Sequence, residues 1–446
     1  MSASLPALAA VVLAAASPSP PPALSAVAAQ LGQAVGPPAD GRRGLSLRVE
    51  ARAPSLVAPL EAALAEALSR QGYAVAPVAP GADPEAAARQ AGQDWLLRVQ
   101  AGLVPGRREL ALVGEVIPTW ESFFLQRRPG ARAQPPRLVQ ARVPADPETL
   151  LLGREARPPG APFVRVRPFA VLPGRVLALA AGDAGEGPAV AAVTREAVVL
   201  LSAEGKELAR REPDRAGWQP VRDPAAAVAI GDFGGGRLAV QWAGAPRAEV
   251  LARHGDRLEV VGGFAAAPLC AAEGGHLLGQ FAPGTGLFQD LLSPAVDAGA
   301  RPRSDRLLFG VSAAPRGGRI AYAALGADLR LELLGPDLAP AGPPAAGAVT
   351  SGVGFALADL EGGGTAEVIT SLPTATGRDQ LRVLAPGAER PVLYESDPFT
   401  GAFLAGASGD LTGDGVDDVV LALVNAGADG ARTELLLVTS DPRELP

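Results

Sequence analysis

The run Asp410-Leu411-Thr412-Gly413-Asp414-Gly415-Val416-Asp417-Asp418 carries the clearest chemistry in this chain. Oxygen-bearing side chains fall at positions one, three, five and nine, and the two glycines let the backbone turn tightly enough for them to converge. Hard oxygen donors in such a loop suit calcium. The expected ligands are the side chains of Asp410, Thr412, Asp414 and Asp418, with the Val416 carbonyl completing the loop. An EF-hand would need a bidentate Glu at position twelve, where Leu421 stands, and a helix afterwards; Val419-Val420-Leu421-Ala422-Leu423 instead reads as a strand. The competing reading is a tight Asp-Gly turn whose carboxylates cap backbone amides. A thinner version of the pattern lies upstream, where Asp359, Glu361 and Glu367 take positions one, three and nine. Gly363 stands at position five there and removes a central ligand, so these three are weaker candidates for calcium.

Other reactive residue types are scarce. One cysteine, Cys270, excludes an intrachain disulfide framework and every Cys-rich zinc site. The two histidines, His254 and His276, fall at turns without a patterned second ligand, and read as turn residues. Ser408 lacks the spacing and following helix of a nucleophile elbow, and Gly284-Thr285-Gly286 lacks the third glycine of a dinucleotide fingerprint. No catalytic residue is assigned.

The elements that must hold the calcium loop are short strands. From about residue 160 helical periodicity disappears, and a glycine-centred turn between two apolar runs recurs at Gly187, Gly236, Gly275, Gly318, Gly364 and Gly415. The spacings of about 40–50 residues fit one four-stranded propeller blade each. Most units continue into a hairpin, as where 197–201 turns through Glu204-Gly205-Lys206. The sixth unit lacks room for an outer strand after 435–438, and Phe163-Val164-Arg165-Val166-Arg167 is placed to supply it from the N-terminal side and close the ring. The expectation is a mainly β chain, with a six-bladed β-propeller over 160–446, or seven blades if 120–160 forms a degenerate one.

With the 410–418 loop followed by its strand, the sequence resembles the FG-GAP, or VCBS, repeats of integrin-alpha-type β-propellers. In that family the loop joins two strands of a blade and holds calcium; Thr412 departs from the usual Asp or Asn at position three. The resemblance is strong in the sixth unit and rests mainly on spacing in the others.

Upstream, 45–118 reads as a small α/β domain of order β-α-β-α-β-β: Leu56, Leu60, Leu64 and Leu68 give a helical face stopped at Gly72, and 95–103 with 109–117 reads as a hairpin over Pro105-Gly106. Residues 5–16 form an apolar run of secretory length ending in small residues, so 1–16 is expected to be a signal peptide, 17–44 a Pro/Ala-rich linker and 119–159 a connector. The aromatic cluster at 120–124 is expected to pack between domains. This order of leader, small domain and six-unit propeller also resembles TolB-type periplasmic proteins, at the level of architecture alone.

Composition narrows the function. A net charge of −7, with no run of arginines beyond pairs, offers no footprint for nucleic acid, and no segment is apolar enough for a transmembrane span. Glycine (54) and proline (44) are abundant enough to require many turns between short elements. The expected role is that of an exported, periplasmic or secreted, calcium-binding propeller that acts without catalysis as a protein-binding or scaffold module of the cell envelope. The alternative is a propeller hydrolase or lyase acting on an envelope polymer, which would need polar residues gathered at the central opening.

Overall fold

A computed structural model describes residues 22–38, 42–79, 81–104, 108–119, 136–154, 157, 159–272, 274–294, 307–314, 320–341, 349–372, 377–385, 392–427 and 430–441. The leader expected at 1–16, the aromatic cluster at 120–124 and Gly318 lie outside the described residues. The chain divides into two compact units, 1–104 with 108–153, and 105–107 with 154–446.

The first unit is a helix-covered sheet. Its elements are α1 (Ala23–Val35), β1 (Gly44–Ala51), α2 (Val57–Arg70), β2 (Ala74–Pro77), α3 (Pro84–Gln90), β3 (Trp95–Val104), β4 (Glu109–Pro118), β5 (Arg137–Pro144) and α4 (Pro147–Leu152). The sheet order is β2-β1-β3-β4-β5, with β1 parallel to β2 and β3 and the remaining pairs antiparallel. Leu60, Leu64 and Leu68 of α2 and Val27 and Leu31 of α1 pack in one core with Leu45, Leu47, Leu97, Val99 and Leu112 of the strands.

Two stretches differ from the sequence expectation. Residues 17–44, read as linker, contain α1, whose Val27, Ala28, Leu31 and Val35 form a buried face; the Pro-rich flank masks this period of three to four. Residues 119–159, read as connector, contain β5, which extends the sheet with Val139 and Ala141 inward and Leu138 and Gln140 outward. The same stretch ends in α4, capped by Asp146, whose Oδ1 accepts from the Thr149 amide at 2.8 Å.

The second unit is built almost entirely of antiparallel strands. Two groups share one eight-stranded sheet, joined by a single parallel pairing of Arg210 with Arg257; the first comprises β7 (Val176–Asp183), β8 (Pro188–Thr194), β9 (Val198–Ser202) and β10 (Glu207–Arg211). The second comprises β11 (Ala226–Ile230), β12 (Leu238–Trp242), β13 (Ala248–His254) and β14 (Arg257–Phe264). A seven-stranded sheet follows, whose third group, β15 (Ala267–Ala272), β16 (Gly275–Phe281) and β17 (Phe288–Leu292), joins the fourth, β18 (Leu308–Ala313), β19 (Tyr322–Gly326), β20 (Arg330–Leu334) and β21 (Val349–Thr350), by the single pairing of Phe288 with Leu308. The fifth group has β22 (Ala356–Ala358), β23 (Glu367–Ser371), β25 (Leu381–Leu384) and β26 (Val392–Glu395), beside a small ladder between β24 (Arg378–Asp379) and β27 (Phe399–Thr400). The last has β28 (Ala402–Gly409), β29 (Asp418–Gly427) and β30 (Gly430–Thr439), and its fourth strand is β6 (Arg165–Pro173), antiparallel to β30 from Arg432↔Pro173 to Thr439↔Arg165.

The first strand of each group touches the first strand of the next, from β7 through β11, β15, β18, β22 and β28 back to β7. Apolar cores lie between the groups, the second group's Ala227 joining the core that the third and fourth share. Val190 and Val199 meet Val420 and Leu435, Val198 meets Val228 and Val240, Leu325 meets Leu357 and Val368, and Ile369 meets Val419 and Leu421. Face-to-face burial explains why the inner strands read as continuous apolar runs such as 189–193 and 226–230 rather than as alternation. This cyclic stacking of antiparallel sheets is of the β-propeller type.

Candidate functional site

The loop 410–418 joins the first two strands of the last group, β28 and β29. Gly413 and Gly415 adopt φ of 74° and 86°, the left-handed region that side-chain-bearing residues avoid, and so let the loop fold back until its carboxylates reach its own amides. Asp410 Oδ1 accepts from the Gly413 amide at 2.7 Å and its Oδ2 from the Gly415 amide at 3.1 Å. Asp418 Oδ2 accepts from the amides of Leu411 (2.9 Å) and Thr412 (2.8 Å). Asp414 Oδ1 accepts from the Thr412 hydroxyl at 3.3 Å and the Val416 amide at 3.1 Å.

The same use of a position-one carboxylate recurs around the ring. Asp359 accepts from the amides of Gly363 (2.9 Å) and Gly364 (2.8 Å), while Asp183 accepts from Gly185 and Gly187 and Asp232 from Gly234. Glu367, at position nine of the fifth group's loop, accepts from the Leu360 amide at 2.8 Å, as Asp418 does from Leu411. Glu361, by contrast, turns outward to Arg157, 3.9 Å away, and its side chain is 56% exposed. The capped-turn reading therefore describes the hydrogen bonds of all four loops.

The sixth-group loop differs in what is left over. Asp414 Oδ2 and Asp418 Oδ1 are buried and accept no hydrogen bond. Asp414 and Asp418 are 4% and 1% exposed. Burial pushes the Asp418 carboxyl up to about 8, helped by the neighbouring charge of Asp414, and pushes Asp414 up to about 6 against the opposing pull of Arg154. Burial likewise raises Glu367 to about 7, against the Leu360 amide. Buried carboxylate oxygens of this kind are the chemistry calcium takes, and Asp410, Thr412, Asp414, Asp418 and the Val416 carbonyl are the oxygens that would hold it. Among the described residues, however, no three His, Cys, Asp or Glu side chains lie close enough together to hold a metal as they stand.

Two residues that spacing did not flag complete the site. Arg154 Nε lies 3.2 Å from Asp414 Oδ2, an ion pair off hydrogen-bond geometry, with the two side chains 14% and 5% exposed. The same guanidinium donates through Nη2 to the Ser440 carbonyl (2.7 Å) and hydroxyl (2.9 Å), and through Nη1 to the carbonyls of Leu360 (3.5 Å) and Glu361 (3.4 Å). Asp417 Oδ2 accepts from the Asp359 amide at 2.7 Å, and the Asp417 amide donates to the Asp359 carbonyl at 3.1 Å. Together they tie the fifth and sixth groups' loops to each other and to the end of β30. Asp417 had a signal in the Asp417-Asp418 pair; Arg154, 260 positions from Asp414, had none.

At the centre of the strand cycle lies a cavity of about 80 Å³ lined by residues of β7, β11, β15, β17, β18 and β28 and by Val353 and Phe355. Its lining side chains are apolar, including Leu177, Leu269, Phe288, Phe309 and Phe355, with Phe309 40% exposed, but backbone groups make most of its open surface polar. His276 is elsewhere, stacked on Phe233 with ring centroids 3.9 Å apart, and its Nε2 is 3.0 Å from the Asp232 carbonyl. Burial pushes the Cys270 thiol up to about 12, which keeps it an unreactive thiol.

No family model matches the chain, and no curated protein matches it significantly. Solved structures similar to it include the tail fiber of Staphylococcus aureus phage P68, at a TM-score of 0.33 and 9% identity over 62% of this chain and 53% of that one. The Pan2 WD40 domain of Neurospora crassa gives a TM-score of 0.33 and 10% identity over 61% and 95% of the two chains. TolB from Acinetobacter baumannii gives 0.32 and 11% over 90% and 94%. The chain spans about half the length of the tail fiber it matches. These likenesses are distant, and the strand cycle stands without them.

Proposed function

We propose that the strand-rich unit is a six-bladed β-propeller, and that the protein is an exported, non-enzymatic protein-binding or scaffold module of the cell envelope, stiffened by calcium at 410–418. The observation that carries the binding reading is the small axial cavity that strands from around the cycle line together. Residues from around the strand cycle bring aliphatic and aromatic side chains to it, and no acid, base or nucleophile is among them. Such a lining, apolar in its side chains and polar in its backbone, suits a small partner group that also satisfies backbone hydrogen bonds, with the six groups of strands as the frame. Export rests on the apolar run at 5–16, and no helix among the described residues is long and apolar enough to cross a membrane. Calcium would fix one loop and leave chemistry to others.

The test is capture of native envelope extract on the immobilised full chain, in calcium and in chelator, with soluble fragments of envelope polymer assayed alongside. A saturable, stoichiometric protein partner without polymer turnover is expected. Polymer turnover without a protein partner would make the protein the hydrolase or lyase of the alternative reading.

A further inference from the structure

The Asp414 carboxylate has one buried oxygen on which the calcium reading depends, and in this structure that oxygen faces a guanidinium. Arg154 Nε is 3.2 Å from Asp414 Oδ2, while the opposite oxygen is held by Val416 and Thr412. Asp418, 1% exposed, keeps Oδ1 without a hydrogen-bond partner. Asp441 is also buried, and its charge bears on Asp414. The Arg154 guanidinium therefore stands at the place where position five of the loop would give its oxygen to a metal. No three acidic side chains among the described residues form a ready cluster.

We propose that Arg154 is the resident counter-ion of the loop and competes with calcium for Asp414, so that its guanidinium sets how tightly the site takes the metal. This rests on the calcium reading above. Two cations near one carboxylate repel, and the gain from calcium at Asp414 is reduced by the loss of the Arg154 pair; by linkage, removing the guanidinium strengthens the metal. Arg154 is anchored independently of Asp414 by Ser440 and by the carbonyls of Leu360 and Glu361. It can give up the carboxylate without leaving its place. The competition thus couples metal binding to the contacts that tie the fifth and sixth groups to the end of β30.

The test is calcium titration by calorimetry of the full chain, as wild type, Arg154→Gln, Arg154→Lys and Asp414→Asn, with melting of each in chelator and in saturating calcium. Arg154→Gln should bind calcium at least about tenfold more tightly than wild type. Arg154→Lys, which keeps a charge but loses the planar fork, should fall between them, and Asp414→Asn should lose the site. The gap in melting temperature between wild type and Arg154→Gln should narrow in calcium. If Arg154→Gln folds too poorly to titrate, the order of Arg154→Lys against wild type decides the matter. Equal calcium affinities in wild type and the Arg154 variants, with Asp414→Asn still abolishing binding, would overturn the competition and leave calcium standing. Absence of calcium binding in every protein would overturn the calcium reading, and the competition with it.

Discussion

Asp417 is the residue through which one loop of the ring steadies the next. Its carboxylate accepts the buried Asp359 amide at 2.7 Å, and its own amide returns a bond to the Asp359 carbonyl. Asp417→Ala would leave that amide buried without its acceptor, at a cost of about 1–3 kcal/mol, read as a lower urea midpoint at unchanged slope. An unchanged midpoint would show that the bond contributes nothing. The neighbouring carboxyls predict a pH dependence. Asp414, Glu367 and Asp418 have folded-state values raised to about 6, 7 and 8 from ordinary values of 3.8 to 4.5, so the folded state holds protons that the unfolded chain releases. Their contribution is fully present below the ordinary carboxyl range and is lost as pH rises through the folded values. In chelator, the second unit should therefore melt lower at about pH 8 than at about pH 5. A higher melting point at the alkaline end would contradict the burial of these groups.

At the scale of elements, the decisive piece is β6, which takes the outer place in the last group although about 250 residues separate it from β30. The sequence announced this strand: Phe163 to Arg167 is a β-type run placed just ahead of the repeats, and the last repeat lacks an outer strand. Glycine-centred turns were legible because positive φ demands glycine, as at Gly364 and Gly415. What escaped reading depends on partners distant in sequence. Helix α1 is short and flanked by prolines, β5 is recognisable as a strand of the first sheet only once β4 lies beside it, and Arg154 finds its role only in the folded loop. Val166→Pro, opposite Val438 in the closing ladder, should unpair that edge and drive self-association detectable by light scattering. Leu437→Ala, a fully buried side chain of β30, should cost about 2–5 kcal/mol. A monomeric Val166→Pro protein of wild-type stability would show that β6 is dispensable for closure.

At the scale of the whole molecule, each of the two units encloses cores of its own, which predicts two thermal transitions. Leu64→Ala, fully buried in the first unit, should lower only one of them and Leu437→Ala only the other. A single transition moved equally by both would mean that the units melt together. The account as a whole turns on the loop at 410–418, where the candidate metal oxygens, the Arg154 pair and the end of β30 meet. Its most direct test is scanning calorimetry of the full chain in millimolar calcium and in chelator. The account predicts that calcium raises the transition shifted by Leu437→Ala and leaves the one shifted by Leu64→Ala in place. Superimposable curves in calcium and chelator would contradict it.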